Sequence, residues 1–312
     1  MKAIIFGGSG FLGSHVVDTL WGRGFETVVY DIVKSKHLVK GQEMIVGDIL
    51  DKDKVKQAVK GCDYVYNFAG IADIEQARRE PLKTIEHNTI GTTYILEACC
   101  QHRVKRFVFA SSIYVYSQLA PFYRSSKQAC ELIIEDYQKV YGLDYTILRY
   151  GSLYGKRANP SNFIYRVIKQ AMEENKITRI GDGEEIREYI HAVDAAKSSV
   201  DILSDEFKNQ HVIITGTQSM KIKDLLMMVK EILNRQIDIE YLPGENADHY
   251  EITPYTFRPT IAKKLVSNCY HDLGQGLLDV AYDMYGEAYK DSVGKNRKQS
   301  VSRKSVEVGL KK

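Results

Sequence analysis

Tyr123 and Lys127 stand four residues apart in the run YRSSK, which reads as the opening of a helix. At that spacing two side chains share one helical face, one turn apart. An ammonium beside a phenol favours the phenolate, so the phenol pKa is expected to fall from about 10 toward the working pH. A phenol tuned that way takes a proton from a sugar or alcohol hydroxyl and returns it later. Just upstream, Arg106 to Ala110 reads as a buried strand leading into a serine pair, Ser111 and Ser112. A serine hydroxyl there can hydrogen-bond the same substrate oxygen. Tyr-x-x-x-Lys alone is also the pattern of a solvated helix surface, so its meaning depends on what lies upstream.

The elements that would position these groups begin at the N-terminus. Lys2 to Phe6 is a short apolar strand that runs into Gly7-Gly8-Ser9-Gly10-Phe11-Leu12-Gly13, and His15, Val16, Val17 and Leu20 follow at helical spacing. Strand, glycine turn, helix is the context that a dinucleotide fingerprint requires. Gly7 and Gly10 let backbone approach a pyrophosphate, while Phe11 and Leu12 open a helix whose N-terminus supplies N–H donors and a positive dipole end. A second strand, Thr27 to Tyr30, ends in Asp31, near the offset of an acid that grips the adenosine ribose. A carboxylate there repels a 2′-phosphate, so the expected cofactor is NAD rather than NADP, although Lys34 and Lys36 lie close by.

The same rhythm continues along the chain. Met44 to Val46 reads as a strand followed by Asp48 and Ile49, which are placed to face the adenine. Asp51 to Val59 reads as a helix, and Tyr64 to Phe68 as a strand leading into Ala69 and Gly70. A long helix is expected over about Leu82 to His102, another over 125–140, and a strand over Tyr145 to Leu148. Repeated strand–helix alternation predicts an α/β fold, a Rossmann-like doubly wound parallel sheet with its ligand at the carboxyl ends of the strands. Gly7, Asp31, Ala69 and Ser111 all fall at such ends. After Arg149 the pattern changes to a polar loop, a helix from Phe163 to Met172, and the segment GDGEEIREYIH over 181–191. Arg187 in that segment suits a phosphate clamp, because guanidinium binds phosphate oxygens bidentately; a solvated surface arginine is the plainer alternative. A strand from Val212 to Thr215 returns to the main sheet, and helix 221–233 and strand 237–241 build a smaller lobe. The expected division is a cofactor domain over 1–150 plus about 188–216, and a C-terminal substrate-binding lobe over 151–187 and 217–290. A basic tail, 294–312, completes the chain.

Composition excludes several classes. With 44% hydrophobic and 27% charged residues over 312 positions, the chain suits a large, ordinary globular core. The first apolar run is too short for a signal-peptide core and no later run approaches membrane-spanning length, so the expected location is cytoplasmic, with no membrane contact. Cys62, Cys99, Cys100, Cys130 and Cys269 show no CxxC and no metal-ligand spacing, which predicts reduced packing thiols and no metal. The formal charge of +3 is concentrated in the tail, where seven Lys/Arg and one Glu leave the body near −3. The tail lacks aromatics and periodicity, and disorder without nucleic-acid binding is expected of it.

These motifs, in this order, resemble an extended short-chain dehydrogenase/reductase of the nucleotide-sugar epimerase/dehydratase family, over about residues 1–290. GGSGFLG resembles its glycine fingerprint, GDILD (47–51) its adenine-side motif and NFAG (67–70) the segment before its substrate loop. NTIGT (88–92) resembles its Asn-containing helix and SSIYVYS (111–117) its catalytic-serine segment. YRSSK resembles its Tyr–Lys pair, LRYGSLYG (148–155) the stretch beside its nicotinamide, and GDGEEIREYIHAVD (181–194) its substrate-phosphate segment. The resemblance implies a cofactor set of Gly7, Gly10, Phe11, Leu12, Asp31, Asp48, Ile49, Phe68, Ala69, Gly70, Asn88, Tyr123, Lys127 and Tyr150. It implies Tyr123 as the base at the 4-hydroxyl of a nucleotide sugar, Lys127 lowering its pKa and holding the nicotinamide ribose, and Ser112 orienting the same hydroxyl. Asn162 and Arg187 would hold the nucleotide diphosphate, Ser152 would touch the sugar, and two copies would pair through helices 82–102 and 127–140.

Three departures bear on the reaction. Where family members that remove water carry Asp-Glu after the Ser/Thr, this chain has Ile113 and Tyr114, which disfavours a 4,6-dehydratase. Only ten residues separate Ser112 from Tyr123, shorter than is usual, which implies a more open pocket for a larger sugar or for release of a keto product. Ser152 replaces a common Asn, and Gly151 a bulkier residue. Three activities remain open at this point: a nucleotide-sugar 4-epimerase, a C4 dehydrogenase that releases the 4-keto sugar, and a non-catalytic NAD-binding scaffold.

Overall fold

The structure, a computed structural model, describes residues 1–244, 263–264 and 271–286. The basic tail lies outside them. In chain order the elements begin with β1 (Lys2–Phe6), α1 (Phe11–Gly22), β2 (Glu26–Asp31), β3 (Glu43–Val46), α2 (Lys52–Val59) and β4 (Tyr64–Asn67). They continue with α3 (Ile74–Arg79), α4 (Pro81–Ile85), a π-helical turn (Glu86–Ile90), α5 (Gly91–His102), β5 (Arg106–Ser112), a 3₁₀ turn (Ile113–Tyr116) and α6 (Tyr123–Tyr141). Next come β6 (Tyr145–Tyr150), β7 (Ser152–Tyr154), α7 (Phe163–Glu173), β8 (Lys176–Ile180), β9 (Ile186–His191), α8 (Ala192–Asp201) and β10 (Gln210–Ile214). Last are β11 (Ser219–Lys221), α9 (Ile222–Leu233), β12 (Asp238–Leu242), the two-residue β13 (Lys263–Lys264) and α10 (Leu273–Tyr285).

Local chemistry sets the boundaries. Asp51 and Asp73 cap α2 and α3 by accepting from the backbone N–H of Lys54 and Gln76. Pro81 starts α4, where its missing N–H costs nothing, and Gly142 ends α6 in the left-handed region at φ 71°. The expected long helix is a continuous run of α4, the π-helical turn and α5. α6 begins two residues before its expected start, which makes Tyr123 its first residue.

The chain forms two compact units. Among the described residues, the first takes Met1–Leu153, Glu188–Ser219 and β13; the second takes Tyr154–Arg187, the segment from Met220 through β12, and α10. The first is built on one sheet with strand order β13-β10-β6-β5-β4-β1-β2-β3, every pairing parallel. Near-continuous apolar strands need cover on both faces. One face is covered by α1 and α8, with Val16, Leu20, Ala195 and Val200 in its core. The other is covered by α2, α5 and α6, with Val55, Leu96, Cys130 and Ile134. Register aligns the ends of β1, β2 and β4, with Phe6 opposite Tyr30 and Asn67, while β5 and β6 run farther, from Phe109 opposite Asn67 to Ser112 opposite Tyr150. Gly7, Asp31, Phe68 and Ser112 therefore emerge along one edge, the carboxyl edge of the sheet. In the second unit β8 and β12 pair in parallel beside α7, α9 and α10. Among the described residues no helix is long and apolar enough to cross a membrane, and Cys62, Cys99, Cys100 and Cys130 are free thiols.

Candidate active site

The glycine turn is shaped by close approach. Gly7 adopts φ +76°, and a Cβ there would lie 2.6 Å from the Ala69 nitrogen and 2.7 Å from the Phe68 carbonyl carbon. A Cβ on Gly13 would collide with the Gly7 carbonyl. The first α-helical bond of α1 runs from Ser14 N–H to the Gly10 carbonyl at 3.0 Å, so the N–H groups of Phe11, Leu12 and Gly13 precede the helical ladder. Gly10 caps without a side chain and the first turn carries no acid. Packed backbone, unladdered N–H donors and a positive helix end together fit the pyrophosphate of a dinucleotide.

Asp31 lies beside this turn. Its carboxylate accepts from Ser9 N–H at 3.0 Å and Val33 N–H at 3.1 Å, tying the glycine turn to the end of β2. Asp48 is exposed and accepts from Leu50 N–H. The Ile49 side chain is buried against Gly91 in the core, and Asp48 is the exposed side chain of the pair. The Phe68 ring stacks on Tyr66 at 6.2 Å, and Ala69 N–H donates to Asn67.

Two other candidates are committed to structure rather than to a ligand. Asn88 is buried; its oxygen accepts from Ile71 N–H at 2.7 Å and its amide donates to the Ile71 carbonyl and the Ser126 hydroxyl. It thereby fixes the chain just after Gly70, whose missing Cβ leaves room for it, and joins that chain to α6. Asn88 sits in the π-helical turn, a distortion common at functional sites. Tyr150 points into the core, its hydroxyl 2.6 Å from the Ser199 hydroxyl, so burial raises its pKa and only its backbone remains for a cofactor.

Ser112, Tyr123 and Lys127 do come together. Ser112 ends β5, and its oxygen accepts from Tyr114 N–H at 3.3 Å at the start of the 3₁₀ turn. The Lys127 ammonium is buried, donates to the Ala110 carbonyl at 2.8 Å, and lies 4.8 Å from the Phe109 ring centroid and 6.0 Å from that of Tyr123. Tyr123 is 9% exposed, with Tyr114 set edge-on to its ring at 6.2 Å. The expected acidification of the phenol is corrected here. Burial raises the Tyr123 pKa, and the Ser112 hydroxyl beside it opposes the rise only in part. Burial likewise lowers the Lys127 pKa. An ammonium over the ring and bonded to a backbone carbonyl offers the phenolate too little to offset its desolvation.

The segment between Ser112 and Tyr123 closes tightly. Ala120 has φ 56°, and Phe122 has φ 63° and ψ −50°, with Tyr123 N–H donating to the Pro121 carbonyl at 2.8 Å. That bond skips one residue, so Phe122 is the centre of a γ-turn of the strained kind. Gly151 faces Thr215, whose hydroxyl would collide with any Cβ, which accounts for the glycine there. Ser152 is half-buried at the start of β7. In the second unit Asn162 caps α7 by accepting from Tyr165 N–H, and Arg187 is 6% exposed and donates to the Ile186 carbonyl. A surface arginine is therefore excluded for Arg187, and Asn162 carries a structural duty.

Sequence reasoning missed a buried polar cluster beneath the trio. Glu131, one turn beyond Lys127, is paired with Arg149 at 2.6 Å and accepts from the Ser111 hydroxyl at 2.5 Å. Arg149 also donates to the Tyr116 hydroxyl and, at 2.9 Å, to His211 Nδ1. An arginine only donates, so Nδ1 accepts and the imidazole N–H at Nε2 faces Glu135 at 2.8 Å. Burial pushes the Glu131 carboxyl up, yet the Arg149 guanidinium bonded to it outweighs that and holds it well below the usual carboxylate range. A charged pair inside otherwise apolar element faces was the available signal: Arg149 directly follows the apolar run of β6, and Glu131 continues the Tyr123–Lys127 stripe.

The model of the NAD dependent epimerase/dehydratase family matches residues 3–215. The chain belongs to this family. The glycine turn, the packed Asp31 and the Tyr123–Lys127 face thus lie within a matched stretch that is NAD-dependent by family. The UDP-glucose 4-epimerase of Halalkalibacterium halodurans is 24% identical over 285 residues, covering 80% of this chain and 85% of that protein. The UDP-N-acetyl-alpha-D-glucosaminuronate decarboxylase of Bacillus cytotoxicus is 27% identical over 297 residues, covering 86% and 91%. The solved UDP-glucose 4-epimerase of Thermotoga maritima superimposes with a TM-score of 0.80 at 24% identity, covering 91% of this chain and 98% of that one, and shares its fold.

Proposed function

We propose that this chain oxidises C4 of a nucleotide-activated sugar, a UDP- or GDP-sugar, and works as a 4-epimerase. The observation that carries the reading is the convergence of Ser112, Tyr123 and buried Lys127 at the carboxyl edge of the sheet, along which the glycine turn also emerges. Relatives named as UDP-sugar 4-epimerases support it. Ser112 holds the 4-hydroxyl, and Tyr123 removes its proton and later returns it. Bound NAD would supply a hydride acceptor for C4 and a positive nicotinamide that favours the phenolate. Phe11 and Leu12 N–H groups would hold the pyrophosphate, Asp31 the adenosine ribose and Lys127 the nicotinamide ribose, and Arg187 with Asn162 would receive the sugar's diphosphate. Rotation of the 4-keto sugar exposes its other face, and return of hydride and proton inverts C4.

Ile113 is buried and Tyr114 packs against Tyr123, so neither position offers the acid and base needed to expel a 6-hydroxyl. Incubating the NAD-loaded protein with UDP- and GDP-sugars and resolving the products by NMR tests the reading. A C4-inverted sugar with no net NADH is expected. Stoichiometric 4-keto sugar with NADH would instead establish the keto-releasing dehydrogenase, which the ten-residue Ser112–Tyr123 connection favours. No turnover of any sugar, with Tyr123→Phe indistinguishable from wild type, would leave an NAD-binding scaffold.

We infer further that two copies pair through α4–α5 and α6. Leu82, Ile85, Ile90, Leu132, Val140 and Tyr141 are exposed apolar side chains on these helices. A dimer mass in solution, reduced to a monomer by Leu82→Glu with Leu132→Glu, is the expected result; a wild-type monomer contradicts it.

A further inference from the structure

We propose that Arg149 and Glu131 are positioning residues for the oxidation step, holding the Ser112 turn and the Tyr123–Lys127 face of α6 in register. This rests on the reading of Ser112 and Tyr123 as the groups that handle the sugar hydroxyl. Tyr123, Lys127 and Glu131 recur every four residues, so they form one stripe along α6. Each of the latter two is pinned to the end of β5 or its neighbour. Lys127 holds the Ala110 carbonyl, and Glu131 holds the Ser111 hydroxyl and the Arg149 guanidinium on β6. The same guanidinium reaches the Tyr116 hydroxyl, on the last residue of the 3₁₀ turn that starts directly after Ser112.

One buried cation therefore touches both sides of the reacting pair. It fixes the helix that carries Tyr123 through Glu131, and the turn that leaves Ser112 through Tyr116. His211, on β10, accepts from the same guanidinium at 2.9 Å. All of these side chains are nearly inaccessible, with Arg149 4% and Glu131 6% exposed. Stability alone does not require so many buried polar groups, because a buried ion pair can often be replaced by apolar residues of similar volume without loss. What apolar residues cannot reproduce is directional bonding to Ser111 and Tyr116 on either side of Ser112.

That difference supplies the test. The double variant Glu131→Met/Arg149→Met is compared with wild type in the full-length protein for thermal unfolding, NAD affinity, turnover of UDP-glucose, and titration of the Tyr123 phenol. The titration is followed by ultraviolet difference against Tyr123→Phe in the same background, and needs no sugar. We expect near-wild-type unfolding and NAD affinity, a loss of about 100-fold in kcat, and a Tyr123 titration displaced from its wild-type position. A merely structural pair predicts that activity and titration return together with stability, and that result would overturn the proposal. Should the double variant fail to fold, Tyr116→Phe removes the bond from Arg149 to the turn after Ser112 and keeps the Glu131–Arg149 pair. It is expected to retain unfolding and NAD affinity, lower kcat about fivefold or more, and displace the titration; wild-type values for both would overturn the proposal. If the wild type itself leaves UDP-glucose and every other sugar unchanged, the proposed function fails, and the titration alone decides the positioning role.

Discussion

Ser111 and Ser112 are consecutive at the end of β5 and reach different residues of the same α6 stripe: Ser111 donates to Glu131, while Ser112 stands beside Tyr123. One hydroxyl is spent inside the fold, and its neighbour is left for chemistry.

The two serines should therefore separate stability from turnover. Ser112→Ala is expected to lower kcat by about 100-fold or more with unfolding unchanged. Ser111→Ala should cost about 1 kcal/mol of stability, because Glu131 keeps Arg149 but loses one donor. Denaturant melts and steady-state kinetics on both variants check this. Equal losses of kcat would refute the division.

Lys127 is buried, its pKa lowered by that burial, and it donates to the Ala110 carbonyl. A buried ammonium held chiefly by a carbonyl is costly to maintain, and strain of this kind concentrates where function needs it. Lys127→Met should change stability by no more than about 1 kcal/mol in either direction while reducing kcat by about 100-fold or more. A collapse of folding in this variant would show the charge to be structural instead.

How much of this was legible beforehand follows from what sequence spacing encodes. The sheet, the glycine turn and the Ser112–Tyr123–Lys127 grouping could be read because strand ends and helical faces are periodic properties. Asn88 and Tyr150 were read as cofactor contacts, but a motif position says nothing of where a side chain's donors go. Asn88 spends them on the Ile71 carbonyl and Ser126, and Tyr150 on Ser199. The direction of the Tyr123 pKa was missed because it depends on burial, which overrides the neighbouring cation. Glu131, Arg149, Tyr116 and His211 come from α6, β6, the 3₁₀ turn and β10, so only the fold brings them together.

The held-down Glu131 carboxyl makes stability depend on acidity in a defined window. Its folded pKa is about 2, against an ordinary value of 4.5. A depressed carboxylate contributes its full stability above the unfolded value and loses it as pH falls through the folded one. Wild type should therefore lose stability between about pH 4.5 and pH 2 through this group. Glu131→Gln should be about 3–5 kcal/mol less stable at neutral pH, since Arg149 is left buried without its counter-charge. The gap should narrow in acid. Urea midpoints at several pH values measure it; parallel curves would exclude Glu131 as the linked group.

Phe122 supplies the last prediction. Its φ of 63° and ψ of −50°, with Tyr123 N–H on the Pro121 carbonyl, form a strained γ-turn directly before the phenol. A bulky residue in that region costs on the order of 1–3 kcal/mol, and the ring is 39% exposed, so little packing offsets it. Glycine adopts the same angles freely, though it gives back part of the gain as unfolded-chain entropy. Phe122→Gly should thus raise the melting temperature by roughly 2–4 °C. If the turn presets the angle at which Tyr123 leaves α6, kcat should fall in the same variant. A lower melting temperature would mean that the turn is relaxed and the Phe122 ring is needed for packing. A higher one with unchanged kcat would confine the strain to the backbone and leave Tyr123 positioned by α6 alone.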